Sequence, residues 1–291
     1  MEKLKTPFIN WEALAQLAMS QRREQENRPR PRTGYGAWDD NAAFYDQMAK
    51  MEAIFTLNQI NCFDTDPSDT VLDVGCGPGR IAVPMARRAK SVTAMDSSSK
   101  MLEYCLKNAE EAGLTNVVGK YLDFHEAELG KNLEQHDIVI CSRSAGFSDI
   151  MKLSTFARKY VVLVSWSNNA PCIPMIVGFL FEGTEDEGEE KCNFKFHWDR
   201  RLGVNLLYNR VYDMGFNPNL NIVEDGFTKD YNSREEAYAD LRRLRPKMSE
   251  DKMPILKRNI DKFLTENPDG TFTYLAKTET VVLWFKPEIE E

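Results

Sequence analysis

The ten residues Val71-Leu72-Asp73-Val74-Gly75-Cys76-Gly77-Pro78-Gly79-Arg80 leave few folds open to this chain. Four residues that read as a buried strand run into three glycines at alternate positions, and a helix-compatible segment, 81–89, follows at once. Glycine lets the backbone take positive φ and lets a ligand approach the main chain, while the helix behind points free N–H groups into the turn. Such a strand, turn and helix start suit a nucleotide-like ligand. They do not suit a dinucleotide, because the fingerprint G-x-G-x-x-G needs a third glycine where this chain has Arg80.

A second signal comes at Asp96, which ends the apolar stretch Val92-Thr93-Ala94-Met95 and lies 21 residues beyond Gly75. A carboxylate at the tip of a second strand can accept hydrogen bonds from both hydroxyls of a ribose. In this order, D-x-G-x-G-x-G and the later acid resemble motif I and the ribose acid of the class I S-adenosylmethionine (SAM) methyltransferases. The resemblance is specific over 71–166 and topological outside it. It implies SAM as cofactor and S-adenosyl-L-homocysteine as product.

Composition narrows the partners. Of 291 residues, 42% are hydrophobic and 28% charged, enough apolar side chains for one large domain with inserts. The net charge of -8 argues against a nucleic-acid partner, whose phosphates call for clustered Lys and Arg. Six cysteines without a C-x-x-C pair read as reduced thiols. No signal-peptide run and no stretch of roughly 18 to 20 apolar residues is present, so neither export nor a membrane is expected, and a cytoplasmic location is.

Along the chain, apolar spacing predicts a helix over 11–23 and a basic linker over 28–36, treated together as an N-terminal unit, 1–36. Residues 38–46 read as a helix capped by Asp39 or Asp40. From Val71 apolar and amphipathic segments alternate, with strands at 71–74, 92–95, 117–121, 138–141 and 160–166 and a helix over 98–112 ended by Gly113. Beyond an acidic loop at 182–190, 200–214 reads as a helix ended by Gly215, 219–223 as a sixth strand and 280–285 as the last. The expected fold is α/β: a Rossmann-like, doubly wound, mostly parallel seven-stranded sheet with the last strand antiparallel. N-terminal helices precede it, and a helical insert at about 226–275 precedes the last strand, within a domain of 37–291. The insert is expected to cover the substrate side or to mediate self-association as a homodimer.

The resemblance assigns roles position by position. Gly75, Cys76 and Gly77 belong to the turn lining the SAM methionine and ribose. Asp73 orients that turn or the amino acid end. Asp96 holds the ribose hydroxyls, and Ser97 and Met101 flank the adenine. Asp123 and Phe124 form the acidic and apolar pair at the adenine amino edge, and Cys141 and Ser142 pass beneath the sulfonium. Trp38 and Tyr45, in a W-x-x-x-A-x-x-Y-D segment like one that lies across the cofactor in small-molecule methyltransferases, are lid candidates, with pinning of a helix to the core as the equal alternative.

Methyl transfer from a sulfonium is a direct displacement, so holding the reactants in line and excluding water is the main task. No nucleophilic residue is required, and a base is needed only for an acceptor that must lose a proton. His136 precedes the fourth strand, at the wrong end of the sheet, and His125 reads as a rim residue. His197 is the weak base candidate, because the region after strand five commonly builds the acceptor pocket. Arg143 and Trp166, at or just past the ends of strands four and five, are acceptor-side candidates, ion pairing being the plainer role for Arg143. An Asn/Asp-Pro-Pro-Tyr/Phe turn, the clamp of enzymes methylating base amines, is replaced here by Cys141-Ser142-Arg143-Ser144. A small-molecule methyltransferase is therefore expected. A SAM-binding protein without transferase activity and a protein or RNA methyltransferase are the alternatives.

Overall fold

The computed structural model describes residues 9–11, 13–17, 34–167, 171, 173–185 and 203–288. Among them, eight strands form one sheet: β1 (Thr70–Val74), β2 (Ser91–Asp96), β3 (Val117–Tyr121), β4 (His136–Ser142), β5 (Ala157–Trp166), β6 (Asn219–Tyr231), β7 (Leu264–Glu266) and β8 (Phe272–Phe285). Their order is β3-β2-β1-β4-β5-β8-β6, with β7 beside β8. The first five strands are parallel, and β8 runs antiparallel to β5, β6 and β7. Chain order reverses between β1 and β4, which opens a crevice at the carboxyl ends of these strands.

The central strands are apolar on both faces because both are covered, as parallel sheets require. Val71, Ala94, Ile138, Ile140, Val162 and Val164 face α2 (Ala82–Ala86), α3 (Ser99–Glu111) and the end of α1 (Ala42–Ile60). Leu72, Val74, Val139, Leu163 and Leu283 face α4 (Ile150–Thr155) and α6 (Val204–Asp213). Ser98 caps α3 by accepting from Met101 N–H, and Gly113 closes the helix at φ 71°. The helical spacing of Met101, Leu102, Cys105, Leu106 and Ala109 predicts one buried face; all but Leu106, which is 41% exposed, are buried.

Three expectations need correction. The sheet has eight strands, not seven, because 264–266 adds a short edge strand to β8. β6 and β8 run far beyond 219–223 and 280–285, pairing from Asn219↔Trp284 to Tyr231↔Phe272 as a long ribbon past the end of β5. Neither Asp39 nor Asp40 caps α1, which starts at Ala42 after a single 3-10 turn; Asp39 reaches across to α3 instead. A third apolar cluster joins Met48 and Met51 of α1, Ile176 and Leu180 of α5 (Ile173–Phe181), and Phe227 and Tyr274 of the ribbon to Leu241 and Leu256. The last two lie on α7 (Arg234–Arg242) and α8 (Met253–Asp261). This cap stands on the carboxyl side of the sheet. No described helix is long and apolar enough to cross a membrane.

Candidate active site

The glycine turn, the acid after β2 and the loop after β3 form one bonded unit. Gly75 and Cys76 donate their N–H groups to Met95 O at 2.8 and 3.0 Å, tying the turn to β2. Gly77 N–H donates to Asp96 Oδ2 at 2.9 Å, Ser98 N–H to Asp96 Oδ1 at 2.8 Å, and Leu122 N–H to Asp96 O at 3.1 Å. The three glycines have positive φ for different reasons. A side chain on Gly75 would collide with Ser144, whose Oγ would lie 2.7 Å from it, and one on Gly79 would meet Cys105 Sγ at 2.9 Å. One on Gly77 would meet nothing within 4 Å, so only there is main chain left bare toward open space.

Asp73 is buried, and its carboxylate has no side-chain partner among the described residues, only the Ala82 N–H nearby. Burial pushes its carboxyl up to about 7, with Arg80 opposing and Asp96 reinforcing the shift. Burial also raises Asp96, against the hydrogen bonds it accepts from backbone N–H groups. Ser97 presents its carbonyl to Gly36 N–H at 2.9 Å, Met101 and Phe124 are buried, and Asp123 Oδ1 accepts from His125 N–H at 2.8 Å. Cys141 is fully buried with its Sγ 3.1 Å from Ser144 Oγ, and burial pushes its thiol up to about 12. Its side chain is therefore structural, and only its main chain can line a pocket.

Beyond the carboxyl ends of β4 and β5 stands a buried charge network. Arg143 donates from Nη1 to Glu52 Oε1 at 2.8 Å, and from Nη2 to Asp225 Oδ2 at 2.8 Å and Thr280 Oγ1 at 2.6 Å. Its guanidinium lies 3.4 Å from the centre of the Trp166 ring. Arg143 is the one described non-glycine residue with positive φ, at 53°. Arg80 donates to Gln59 Oε1 at 2.7 Å and to Ser142 Oγ, and its Nη1 is 3.1 Å from Glu52. Burial works against the charge on Glu52, but Arg143 and Arg80 hold its carboxyl below the usual range. Burial and then the charge of Glu52 push Asp225 up. Arg143 and Trp166 are thus occupied with each other and with buried acids, not held free for an anion.

Tyr45 faces this network: burial raises its hydroxyl and the Arg143 charge lowers it. Trp38 packs edge-on against Tyr45 at 5.8 Å and stays 40% exposed. His197 lies outside the described residues. His136 sits at the amino end of β4, bonded to Thr93 Oγ1 at 2.8 Å.

A sequence model of the methyltransferase domain matches residues 71–164, the part of the chain that carries this unit. A probable cobalt-precorrin-6B C(15)-methyltransferase (decarboxylating) of Methanobrevibacter smithii is 34% identical over 150 residues, 51% of this chain and 74% of that protein. The chain belongs to the class I SAM-dependent methyltransferases. A Haemophilus influenzae protein with no function in its name is 30% identical over 212 residues, 70% of this chain and 71% of that one. The 23S rRNA (uracil(1939)-C(5))-methyltransferase RlmD of Photobacterium angustum is 34% identical over 115 residues, 36% of this chain and 50% of its own length. The residues present fit SAM: bare main chain at Gly77, an acid with spare lone pairs at Asp96, and at Asp73 a carboxylate with no described side-chain partner that suits the ammonium of the amino acid end.

Sequence reasoning missed Glu52, Asp225, Ser144 and the structural task of Arg80. One signal was available: Glu52, Thr56 and Gln59 make a polar stripe at helical spacing, and all three are at most 1% exposed.

Proposed function

We propose that this methyltransferase acts on a small-molecule acceptor, with Asp73, Gly75, Cys76, Gly77, Asp96, Ser97, Met101, Asp123, Phe124, Cys141 and Ser142 forming the cofactor pocket. SAM supplies a methyl group on a sulfonium, transferred by in-line displacement. The chain's residues bind, orient and exclude water. The observation that carries the small-molecule reading is the fastening of α1 across the carboxyl edge. Glu52 joins it to Arg143 and Arg80, and Asp46 accepts from Asn108 Nδ2 at 2.7 Å, so the acceptor side is roofed by a helix and the cap. A roofed site suits a compact acceptor better than a long polymer. The precorrin methyltransferase relative and the net charge of -8 support the same reading.

For an acceptor hydroxyl, which must lose a proton, His197 is the base we propose. Residues 37–291 act as the catalytic domain and 1–36 as an appended arm, in a reducing, cytoplasmic setting. The likeness to an rRNA methyltransferase favours RNA as the second reading. Purified protein with SAM should release S-adenosylhomocysteine with members of a small-molecule panel and not with ribosomal RNA. The reverse pattern would establish RNA, and tight binding without turnover on either would point to a non-transferase.

A further inference from the structure

Residues 34–41 form a strap between the loops that follow β2 and β3. Tyr35 donates its hydroxyl to Glu126 Oε2 at 2.9 Å and accepts from Asp123 N–H at 3.3 Å, with its ring 5.0 Å from that of Tyr121. Gly36 N–H donates to Ser97 O at 2.9 Å. Asp39 Oδ1 accepts from the Ser98 hydroxyl at 2.5 Å and Lys100 N–H at 3.4 Å. Its Oδ2 takes no hydrogen bond among the described residues.

Asp39 and Asp96 therefore converge on Ser98, one taking its O–H and the other its N–H. Neither forms an ion pair among the described residues, and Lys100 turns its ammonium to Glu103 at 2.8 Å. Both carboxylates take N–H groups from the positive N-terminus of α3, and the Lys100 ammonium feels the charge of Asp39, yet that charge still adds to the burial that raises Asp96. A vicinal diol brings two hydroxyl donors, which two adjacent carboxylates can share.

We propose that Asp39 is a second acid of the ribose subsite, sharing the diol with Asp96, and that the strap 34–41 closes over the adenosine end. The inference rests on the cofactor pocket proposed above. A plain helix cap on α3 would explain the Ser98 and Lys100 bonds, but it leaves Oδ2 open beside Asp96.

The test is S-adenosylhomocysteine binding by calorimetry to the full chain, with Asp39→Asn and Asp96→Asn compared and apo thermal unfolding as control. Asparagine keeps an acceptor for Ser98 and Lys100 and removes the charge. Asp39→Asn should unfold like the parent yet bind about 5- to 20-fold more weakly, the scale of one charge-assisted hydrogen bond. That loss should be seen with adenosine as competitor and vanish with 2′,3′-dideoxyadenosine. Tyr35→Phe, which frees the strap at its other end, should speed release of the ligand severalfold. Parent affinity in Asp39→Asn with weakened binding in Asp96→Asn overturns the second acid alone, as does an equal loss for the dideoxy compound. Parent affinity in Asp96→Asn overturns the cofactor pocket itself.

Discussion

The guanidinium of Arg143 stacks on the ring of Trp166 while its two terminal nitrogens hold acids from α1 and β6. One side chain thereby joins the β4 loop to α1, β5, β6 and β8, in a left-handed backbone conformation that only tight surroundings sustain.

Removing that cation should be costly to stability. Arg143→Met leaves Glu52 and Asp225 buried with Arg80 as their remaining partner, and breaking such a pair costs about 3–5 kcal/mol. Urea unfolding reads it directly. A loss under about 1 kcal/mol, the range of exposed pairs, would mean the network is solvated.

The glycines separate folding from binding. Gly75→Ala meets Ser144 and should cost the left-handed penalty of about 1–2 kcal/mol plus the overpacking of about 1–3 kcal/mol. Gly77→Ala enters open space and should lose only the first amount, yet bind S-adenosylhomocysteine poorly. Equal unfolding temperatures for the two variants would contradict this division.

Asp73 sets a pH dependence. Its carboxyl holds a proton to about pH 7 when folded, whereas an unfolded aspartate releases it near about 3.9. The folded state binds the extra proton between these values, so the contribution is complete below about pH 4 and lost as pH rises through 7. The ligand-free protein should melt higher at pH 6 than at pH 8, and Asp73→Asn should narrow the gap. Binding of S-adenosylhomocysteine at pH 6 should release protons, seen as buffer-dependent heat. An unchanged pH slope in Asp73→Asn counts against the assignment.

Asp96→Ala should weaken SAM binding by about 1–3 kcal/mol, the cost of unpairing a charge-assisted hydrogen bond, and also loosen Gly77 and Ser98. Unchanged affinity in calorimetry would remove Asp96 from the pocket.

Much of this was legible in the sequence where local pattern and global fold agree. The strand at 71–74, its glycines and Asp96 carry their own geometry, since a buried parallel strand, a left-handed turn and a strand-end acid each need particular residue types. The ribbon was not legible: the sequence places about 226–275 in a helical insert, and Gly226 and Lys229-Asp230 become strand only because a partner strand 40 or more residues away pairs with them. Nor was the network: Asp225 looks solvent-facing until Arg143, 82 residues distant, is seen to bury it. Gly75 and Gly77 look alike in sequence, and only the position of Ser144 distinguishes internal packing from ligand access.

The reach of Arg143 also limits how the cap can be re-engineered or exchanged between relatives. Its partners come from stretches far apart in the chain, so a cassette of 232–271 moved by itself leaves both anchoring acids with the recipient. Helix 42–60 and strand 219–231 have to be transplanted as a matched set, and a recombinant with acid 52 from one parent and acid 225 from another inherits a lock without its key.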